Sequence, residues 1–403
     1  MKIGLIREGK RPIDRRVPLT PAQCREVQEK FPYVRIVVQP SPIRCFADSD
    51  YAEQGIPLQE DLTDCDVLLG VKEVPIPELI SGKTYFFFSH TIKKQDYNRE
   101  LLRTILEREI TLVDYETLTN PPGKRVIAFG RYAGIVGAYN ALWTYGKRSQ
   151  RFSIKRAHQC HDLQELHQEL KKVKLLPLKI AVTGGGRVAK GAWEVLDSAG
   201  IRRVSVAEYL DQTFEEAVYV PLKTADYNCT TDGSSFNLQA FYEDPTTGFA
   251  GNFRRFLPLT DILIAGAYWD FRAPVLFDAS DTQRDDFAIQ VIADVTCDIE
   301  GSIPTTKQPS TIEDPIYDYD PASGEVKPPL SDEQHITVMA VDNLPCELPR
   351  DASHDFGRML IDEVLPYFLG EDTVGMMERA QITAQGRLTD NFSYLSDYVA
   401  GKE

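Results

Sequence analysis

A lysine and a histidine each follow a short apolar run in the first third of the sequence. Lys72 comes after Cys65–Val71, and His90 comes after the aromatic run Tyr85–Phe88. Such runs are typical of buried strands, and titratable groups at two strand ends of one sheet form a candidate site. Burial beside aromatic rings lowers the pKa of a lysine, and histidine titrates near neutrality. The pair suits oxidation of an amine: one group takes the amine proton and the other handles the water that opens the imine.

A basic pair, Arg15 and Arg16, lies just before a predicted helix that starts near Thr20 and Pro21. Arginine presents a planar fork that binds a carboxylate through two parallel hydrogen bonds. The pair is therefore a candidate clamp for a substrate carboxylate. Solvated surface charge is the alternative interpretation.

A second candidate site is a glycine turn in the middle of the chain. The apolar run Ile180–Val182 leads into Gly184, Gly185 and Gly186, and a helical pattern follows from Arg187 and Val188. Glycines let backbone N–H groups approach a phosphate, and a helix N-terminus favours its charge. The spacing fits G-x-G-x-x-G/A, and Glu208 closes a second apolar run, where an acidic residue can bind ribose hydroxyls. The stretch predicts a dinucleotide site.

Two later apolar runs, Asp261–Trp269 and Ile289–Val295, also read as buried strands. Ligands of open α/β sheets bind beyond the carboxyl ends of the strands. Gly266 and Asp294, with Ala267 and Thr296 beside them, are therefore expected on the nicotinamide side of the cofactor.

Apolar runs alternate with helical patterns along most of the chain, which predicts an α/β fold. We expect two Rossmann-like domains with parallel sheets, separated by a cleft. Residues 1–130 and 345–403 are assigned to a substrate-binding, catalytic domain, because the glycine turn falls outside them. Residues 131–344 are assigned to the dinucleotide-binding domain.

Other segments give weaker expectations. Residues 131–148 read as one long apolar helix with small residues, packed between the domains. Residues 209–256 read as loop and weak helix, and 304–329 as a proline-rich surface excursion. The polar, aromatic tail 380–403 is expected to wrap the surface.

Composition excludes several classes of function. The formal net charge is −15, which argues against a nucleic-acid partner. The sequence has no run of about 18 apolar residues, so no membrane span is expected, and its seven cysteines without CxxC spacing favour reduced thiols in the cytoplasm. His158, Cys160 and His161 lack a second ligand pair, so no metal is expected. G-x-S-x-G, Walker and HExxH motifs are absent, which leaves hydrolase and kinase interpretations without support.

Several longer motifs resemble a known family. These motifs are Arg16-Val-Pro-Leu-Thr-Pro, Val-Lys72-Glu73-Val-Pro, Phe88-Ser-His-Thr-Ile-Lys-Lys-Gln95, Val113-Asp-Tyr-Glu116, Arg125-Val-Ile-Ala-Phe-Gly-Arg-Tyr-Ala-Gly134 and Val341–Ser353. They resemble the alanine dehydrogenase/transhydrogenase family, and within it the saccharopine-handling branch. That branch includes the fungal lysine-forming saccharopine dehydrogenase and the lysine–ketoglutarate reductase half of a bifunctional enzyme. Thr183 departs from the fungal glycine but fits the reductase half.

The resemblance implies reversible oxidative cleavage of saccharopine to lysine and 2-oxoglutarate. Lys72 is then the base for the secondary amine, and His90 the acid/base for imine hydration and carbinolamine collapse. Glu73 and Glu116 tune the charge of that pair. Arg16, Lys93 and Arg125 hold substrate carboxylates, of which saccharopine has three. The glutamate-forming half of the bifunctional enzyme is absent from these 403 residues.

Two questions stay open at this point. Glu208 favours NAD because a carboxylate repels a 2′-phosphate, yet Arg187, Arg202 and Arg203 admit NADP. The alternatives to a saccharopine dehydrogenase are an alanine dehydrogenase-like or opine-type amino acid dehydrogenase, and a nucleotide-binding regulator without catalysis. The oligomeric state is not predicted.

Overall fold

The computed structural model describes residues 1–402, which divide into two compact units. Unit 1 comprises Met1–Phe129 and Pro349–Glu403, and unit 2 comprises Gly130–Leu348. Each unit contains one large, mostly parallel sheet. The predicted α/β fold class is confirmed, except that each sheet also carries antiparallel strands at one edge. The predicted cleft stays a prediction.

The first segment of unit 1 alternates strands and helices. Its elements are β1 (Lys2–Leu5), α1 (Pro21–Lys30), β2 (Arg35–Val38), α2 (Asp48–Glu53), β3 (Val67–Leu69), β4 (Thr84–Phe87), α3 (Asp96–Glu107) and β5 (Thr111–Asp114). Helix α1 begins as expected, because the Thr20 hydroxyl accepts the Gln23 N–H at 3.3 Å and the Gln23 side chain accepts the Thr20 N–H at 3.0 Å. This capping box satisfies two N–H groups at the helix start.

Unit 2 contains the middle of the chain. Its elements are α4 (Gly130–Ser149), α5 (Leu163–Leu170), β6 (Lys179–Thr183), α6 (Arg187–Ser198), β7 (Arg202–Arg203), α7 (Val206–Asp211), β8 (Val218–Leu222), α8 (Thr224–Tyr227), β9 (Asn228–Thr230), α9 (Leu238–Glu243), β10 (Phe249–Gly251), β11 (Ile262–Ala265), β12 (Val291–Asp294), β13 (Ile316–Asp320), β14 (Glu325–Lys327) and β15 (Ile336–Met339).

The chain then returns to unit 1. The last elements are α10 (Pro349–Met359), a π-helical turn (Leu360–Val364), α11 (Leu365–Leu369), α12 (Met376–Ala380), β16 (Gln381–Ala384), β17 (Arg387–Leu388) and α13 (Ser396–Ala400). The order of the sheet in unit 1 is β17-β16-β5-β4-β3-β1-β2. Apolar clusters cover both faces: α1 and α10 contribute Val27 and Phe356 to one, and α3 and α13 contribute Leu102 and Tyr398 to the other.

The order of the sheet in unit 2 is β14-β13-β15-β12-β11-β6-β8-β7. Strand β8 therefore lies between β6 and β7. Helices α4 and α6 pack together, and their small residues allow unusually close contact: a Cβ on Gly134 would lie 1.8 Å from the Val188 oxygen, and one on Gly191 would lie 2.0 Å from the Arg131 oxygen. The long helix predicted over 131–148 is thus confirmed, and these glycines let it pack within unit 2.

Four local expectations were wrong. The run ending at Glu208 is a two-residue strand, β7, followed by helix α7, because Ser205 caps that helix. Residues 209–256 include the buried strand β8, which a proline at position 221 disguises. The proline-rich excursion contains β13 and β14, and the tail supplies β16, β17 and α13.

Candidate functional site

The loops after β3 and β4 bring the first group of predicted residues together. Leu69 pairs with Phe86 in adjacent parallel strands, and the Phe88 N–H donates to the Val71 oxygen at 3.0 Å beyond the strand ends. Lys72 and His90 therefore leave the same edge of the sheet from neighbouring strands.

Glu73 connects two basic groups at this edge. Its Oε1 lies 2.6 Å from His90 Nδ1, and its Oε2 accepts from Lys10 Nζ at 2.6 Å. Burial raises the pKa of Glu73, but the hydrogen bonds from His90 and Lys10 outweigh burial and lower that pKa to about 2. A carboxylate on Nδ1 orients the ring, so that Nε2 is the nitrogen available for proton transfer.

The loop that carries His90 is held in an unusual backbone conformation. His90 has φ 54°, in the left-handed region that non-glycine residues rarely adopt. Buried Asp114, at the end of β5, accepts from the Ser89 N–H at 2.8 Å and the Ser89 hydroxyl at 2.5 Å. Strained residues persist where their surroundings fix them, and they cluster at functional sites.

Arg16 is buried and bound to a carboxylate of its own chain. Its Nε and one Nη donate to Asp14 at 3.0 and 2.6 Å, and its guanidinium stacks on Phe129 at 4.1 Å. Burial opposes ionisation of Asp14, yet Arg16 lowers the pKa of that carboxyl to about 2. Asp14 was not among the predicted residues, although it lies only two positions before Arg16, and that spacing could have indicated the ion pair.

Lys93, Arg125 and Glu116 form a second charged group. Glu116 Oε1 lies 3.4 Å from Lys93 Nζ and 3.3 Å from Arg125 Nη1. Glu116 Oε2 is buried, and within residues 1–402 it has no hydrogen-bond partner. Two cations on one carboxylate make a site that an incoming carboxylate can share or take over.

Lys72 is held by a residue that the sequence analysis missed. The Val71 and Lys72 N–H groups donate to Glu8 Oε1 and Oε2 at 2.7 and 2.9 Å. Burial and the nearby Asp14 charge raise the pKa of Glu8 to about 8, although these backbone hydrogen bonds oppose the shift. No local motif marks Glu8, because its partners are more than 60 positions away.

In unit 2 the glycine turn lies between strand ends and a helix start. Gly184 has φ 102°, and a Cβ there would lie 3.1 Å from the Ala267 Cα, so strands β6 and β11 meet closely at this turn. Gly186 is the N-cap of α6, which begins with Arg187 and Val188. Apart from the adjoining residues of the chain, no described atom lies within 4 Å of a Cβ built on Gly185 or Gly186. This open cradle at a helix N-terminus fits a pyrophosphate.

A cavity of about 320 Å³ adjoins the same strand ends. Its lining includes Thr183 and Ala265, at the ends of β6 and β11, and the aromatic side chains of Tyr242, Tyr268 and Trp269. The Thr183 hydroxyl is buried, and among residues 1–402 it has no hydrogen-bond partner. The cavity therefore offers a largely apolar space with one unused polar atom, which fits part of a dinucleotide.

Two predicted cofactor residues are engaged elsewhere. The Glu208 carboxylate accepts from Ser205 N and Oγ at 2.8 and 2.7 Å, on a helix that follows β7 rather than the strand beside the turn. Buried Asp294 accepts from Thr296 Oγ1 at 2.6 Å and Thr306 Oγ1 at 2.7 Å. Asp294 thus supports its own loop, in which burial and the Asp294 charge raise the pKa of Asp298.

The structure therefore brings the predicted residues together in two groups. Those of unit 1 are Arg16, Lys72, Glu73, His90, Lys93, Glu116 and Arg125, and those of unit 2 are Gly184, Gly185, Gly186, Arg187, Val188 and Gly266. Gly266 lies against α6, since a Cβ on it would meet the Val188 side chain at 2.9 Å. Within the described residues, no three His, Cys, Asp or Glu side chains are placed to share a metal ion, and no helix is long and apolar enough to cross a bilayer.

Residues 4–136 match the family model described as alanine dehydrogenase/PNT, N-terminal domain. The mouse protein "Alpha-aminoadipic semialdehyde synthase, mitochondrial" is 30% identical over 450 residues, which covers 100% of this chain and 48% of that protein. This chain thus spans about half the length of that relative. The saccharopine dehydrogenase (NAD(+), L-lysine-forming) of Emericella nidulans is 26% identical over 384 residues, covering 90% of this chain and 91% of that protein.

Among solved structures, an L-alanine dehydrogenase superposes with a TM-score of 0.63 and 16% identity, covering 100% of both chains. At that identity the likeness shows a shared fold. The fold, the family model and the curated relatives agree with the resemblance read from the motifs.

Proposed function

We propose that this chain is an oxidoreductase that uses a nicotinamide cofactor. The proposal is supported by the match of residues 4–136 to the alanine dehydrogenase/PNT N-terminal domain and by the similarity of the chain to saccharopine dehydrogenases. The proposed reaction is reversible oxidative cleavage of saccharopine: saccharopine, NAD(P)+ and water give lysine, 2-oxoglutarate, NAD(P)H and a proton.

The observation that carries the proposal is the pair of basic groups at adjacent strand ends. His90 is oriented by Glu73, which Lys10 also binds, and the Lys72 backbone is fixed one strand away by Glu8. Cleaving a secondary amine needs one group for the amine proton and another for water. A site with a single base would serve only one of these two proton transfers.

In the proposed reaction Lys72 takes a proton from the protonated secondary amine. A bound nicotinamide would supply the acceptor for a hydride from the carbon beside that nitrogen, which would leave a protonated imine. His90 then removes a proton from water as the water adds to the imine carbon. The carbinolamine collapses when His90 gives that proton to the nitrogen of the departing lysine product, the C–N bond breaks, and the hydroxyl proton passes back to His90 as the ketone of 2-oxoglutarate forms.

Substrate carboxylates are assigned to three cationic residues of unit 1, namely Arg16, Lys93 and Arg125. Lys93 and Arg125 share Glu116, whose second oxygen is buried beside them. Arg16 is rigid, because Asp14 and Phe129 hold its guanidinium. Three cationic positions match the three carboxylates of saccharopine, whereas alanine or pyruvate needs only one.

The cofactor is assigned to unit 2. Gly185 and Gly186 would hold the pyrophosphate, and the aromatic cavity beside Thr183 would take the adenosine. The sequence argument for NAD rested on Glu208, which caps helix α7. That argument no longer separates the two cofactors, so we propose a nicotinamide dinucleotide, NAD or NADP, and the choice between them is tested below.

The deciding experiment is NADH and NADPH oxidation with lysine plus 2-oxoglutarate, compared with pyruvate plus ammonia. We expect turnover in the first mixture only. Turnover only with pyruvate and ammonia would replace the proposal with an alanine dehydrogenase activity, the second candidate that the fold likeness favours. Binding of a reduced cofactor without turnover in either mixture would indicate a regulator.

A further inference from the structure

Glu8 is a carboxylate that binds the backbone of the proposed base, Lys72. The proposed reaction assigns no step to Glu8. It follows β1, whereas the residues it binds follow β3, the neighbouring strand. Both of its oxygens accept backbone N–H groups of consecutive residues, Val71 and Lys72. This two-point contact fixes the backbone from which the Lys72 side chain leaves the sheet.

The space around Glu8 contains several other ionisable groups. Asp14 and Arg16 interact with Glu8 from the segment after β1, and Tyr115 interacts with it from the end of β5. From the loop after β3, Lys72 donates its backbone N–H to Glu8, and its charge interacts with Asp14. Tyr115 packs against Phe88 and Phe356 at ring distances of 5.1 and 4.9 Å, so an apolar wall borders the group.

The charges of the two carboxylates differ. Arg16 keeps Asp14 ionised, because it lowers the pKa of that carboxyl to about 2. Burial and the Asp14 charge raise the pKa of Glu8 to about 8. Glu8 is therefore mostly neutral at pH 7 and becomes an anion at alkaline pH, while Asp14 stays charged throughout.

We propose that Glu8 is a positioning residue for Lys72: it fixes the Lys72 backbone and sets the charge beside the Lys72 amine. The assignment of Lys72 as base rests on the proposed function, whereas the contact between Glu8 and Lys72 does not. When Glu8 is neutral, it adds no negative charge to that of Asp14, which interacts with Lys72, so the Lys72 proton is easier to lose. An ionised Glu8 adds a second negative charge and holds that proton more tightly.

The test measures the Lys72 amine directly, without the reaction. Lys72 acylation by a limiting amine-reactive acetyl ester is followed by mass spectrometry of its peptide between pH 6 and 11. We expect Glu8→Gln, which is permanently neutral, to lower the apparent pKa of Lys72 by about 0.5–1 unit. The matched control is Glu60→Gln. Glu60 is an exposed carboxylate paired with Arg7, which follows β1 as Glu8 does, and its substitution should leave the Lys72 acylation profile unchanged.

Glu8→Asp separates the charge from the two-point contact. It keeps the carboxyl group but shortens it, so the Lys72 titration should stay within about 0.3 unit of the parent while kcat for saccharopine falls about tenfold and KM changes less than threefold. An unshifted Lys72 profile in Glu8→Gln would overturn the proposal. If that variant does not fold, unchanged kcat in Glu8→Asp would overturn it. A parent chain inactive on saccharopine refutes the proposed function, and the acylation result still decides on Glu8.

Discussion

Glu73 links the two basic residues Lys10 and His90 through its two oxygens, and this arrangement decides which imidazole nitrogen can work. With Nδ1 at 2.6 Å from a carboxylate, Nε2 is the nitrogen left for water. The left-handed backbone at His90 points the ring toward Glu73 at the neighbouring strand end. Substitutions of these residues are therefore expected to change proton transfer and the contribution of the Glu73 charge to stability.

Lys72→Met and His90→Gln should each lower kcat for saccharopine cleavage by about 10²–10⁴-fold, since each removes a proton-transfer group. NADH affinity, measured by fluorescence titration, should change less than threefold, because neither residue belongs to unit 2. Lys124→Met, at an exposed lysine of unit 1, serves as the control. A large loss of NADH binding in either variant would show that these residues have been misplaced.

Glu73 should make folding stability depend on acidic pH. Its pKa in the folded chain is about 2, below the ordinary 4.5. The stability that it contributes is therefore full above pH 4.5 and is lost as the pH falls toward 2. The difference in unfolding free energy between the parent and Glu73→Gln should narrow by about 1 kcal/mol from pH 6.5 to 3.5 in urea titrations. For Glu29→Gln, an exposed helix pair, the difference should stay constant.

At the scale of elements, the central strands and helices could be predicted because their apolar periodicity is strong. Strand β8 could not, since Pro221 interrupts its pattern, and β13 and β14 lie in a proline-rich stretch. Strand order was not readable either. The sequence pattern runs on to Glu208, whereas β7 ends at Arg203, and nothing in the pattern shows that β8 inserts between β7 and β6.

That insertion changes the prediction for cofactor choice. Leu222, the last residue of β8, accepts from the Gly184 N–H at 2.8 Å, so exposed Lys223 stands level with the glycine turn. A cation there favours a 2′-phosphate, whereas Glu208 lies beyond β7. Lys223→Ala should weaken NADPH binding about tenfold and NADH binding less than twofold. Glu208→Ala should change neither; a selective gain in NADPH affinity there would restore the role predicted for Glu208.

The packing of α4 against α6 gives a second prediction at this scale. A Cβ at Gly134 would lie 1.8 Å from a backbone oxygen, so Gly134→Ala should cost about 3 kcal/mol of unfolding free energy in unit 2. A Cβ at Gly185 would lie in open space, so Gly185→Ala is the matched control for stability. That variant should keep its thermal stability and lose NADH affinity about tenfold. Equal melting temperatures for the parent and Gly134→Ala would contradict the close contact.

For the whole molecule, the tail is part of a core. Ile382, Leu395 and Tyr398 are fully buried in the cluster that covers one face of the unit 1 sheet. Each such side chain contributes roughly 1.5–3 kcal/mol. A chain ending at Ala380 should therefore unfold at much lower urea concentration, and one ending at Lys402 should match the parent. Unchanged unfolding of the shorter chain would contradict the core position of the tail.

The candidate site was only partly readable from the sequence. Lys72, His90 and Arg16 stand out because their residue types occur beside apolar runs. Glu8, Asp14 and Lys10 do not, because their importance comes from partners up to 64 positions away or from burial. Contacts between distant strands are set by the fold, and one sequence does not encode them as a local pattern.

Because unit 1 is assembled from both ends of the chain, its folding depends on the order of synthesis. Strand β5 pairs with β16, whose residues Gln381–Ala384 leave the ribosome long after Thr111–Asp114. At about 5–20 residues per second, that interval is roughly 10–50 s. During that interval the edge of β5 that later pairs with β16 is open to pairing with other chains, which makes nascent unit 1 prone to association.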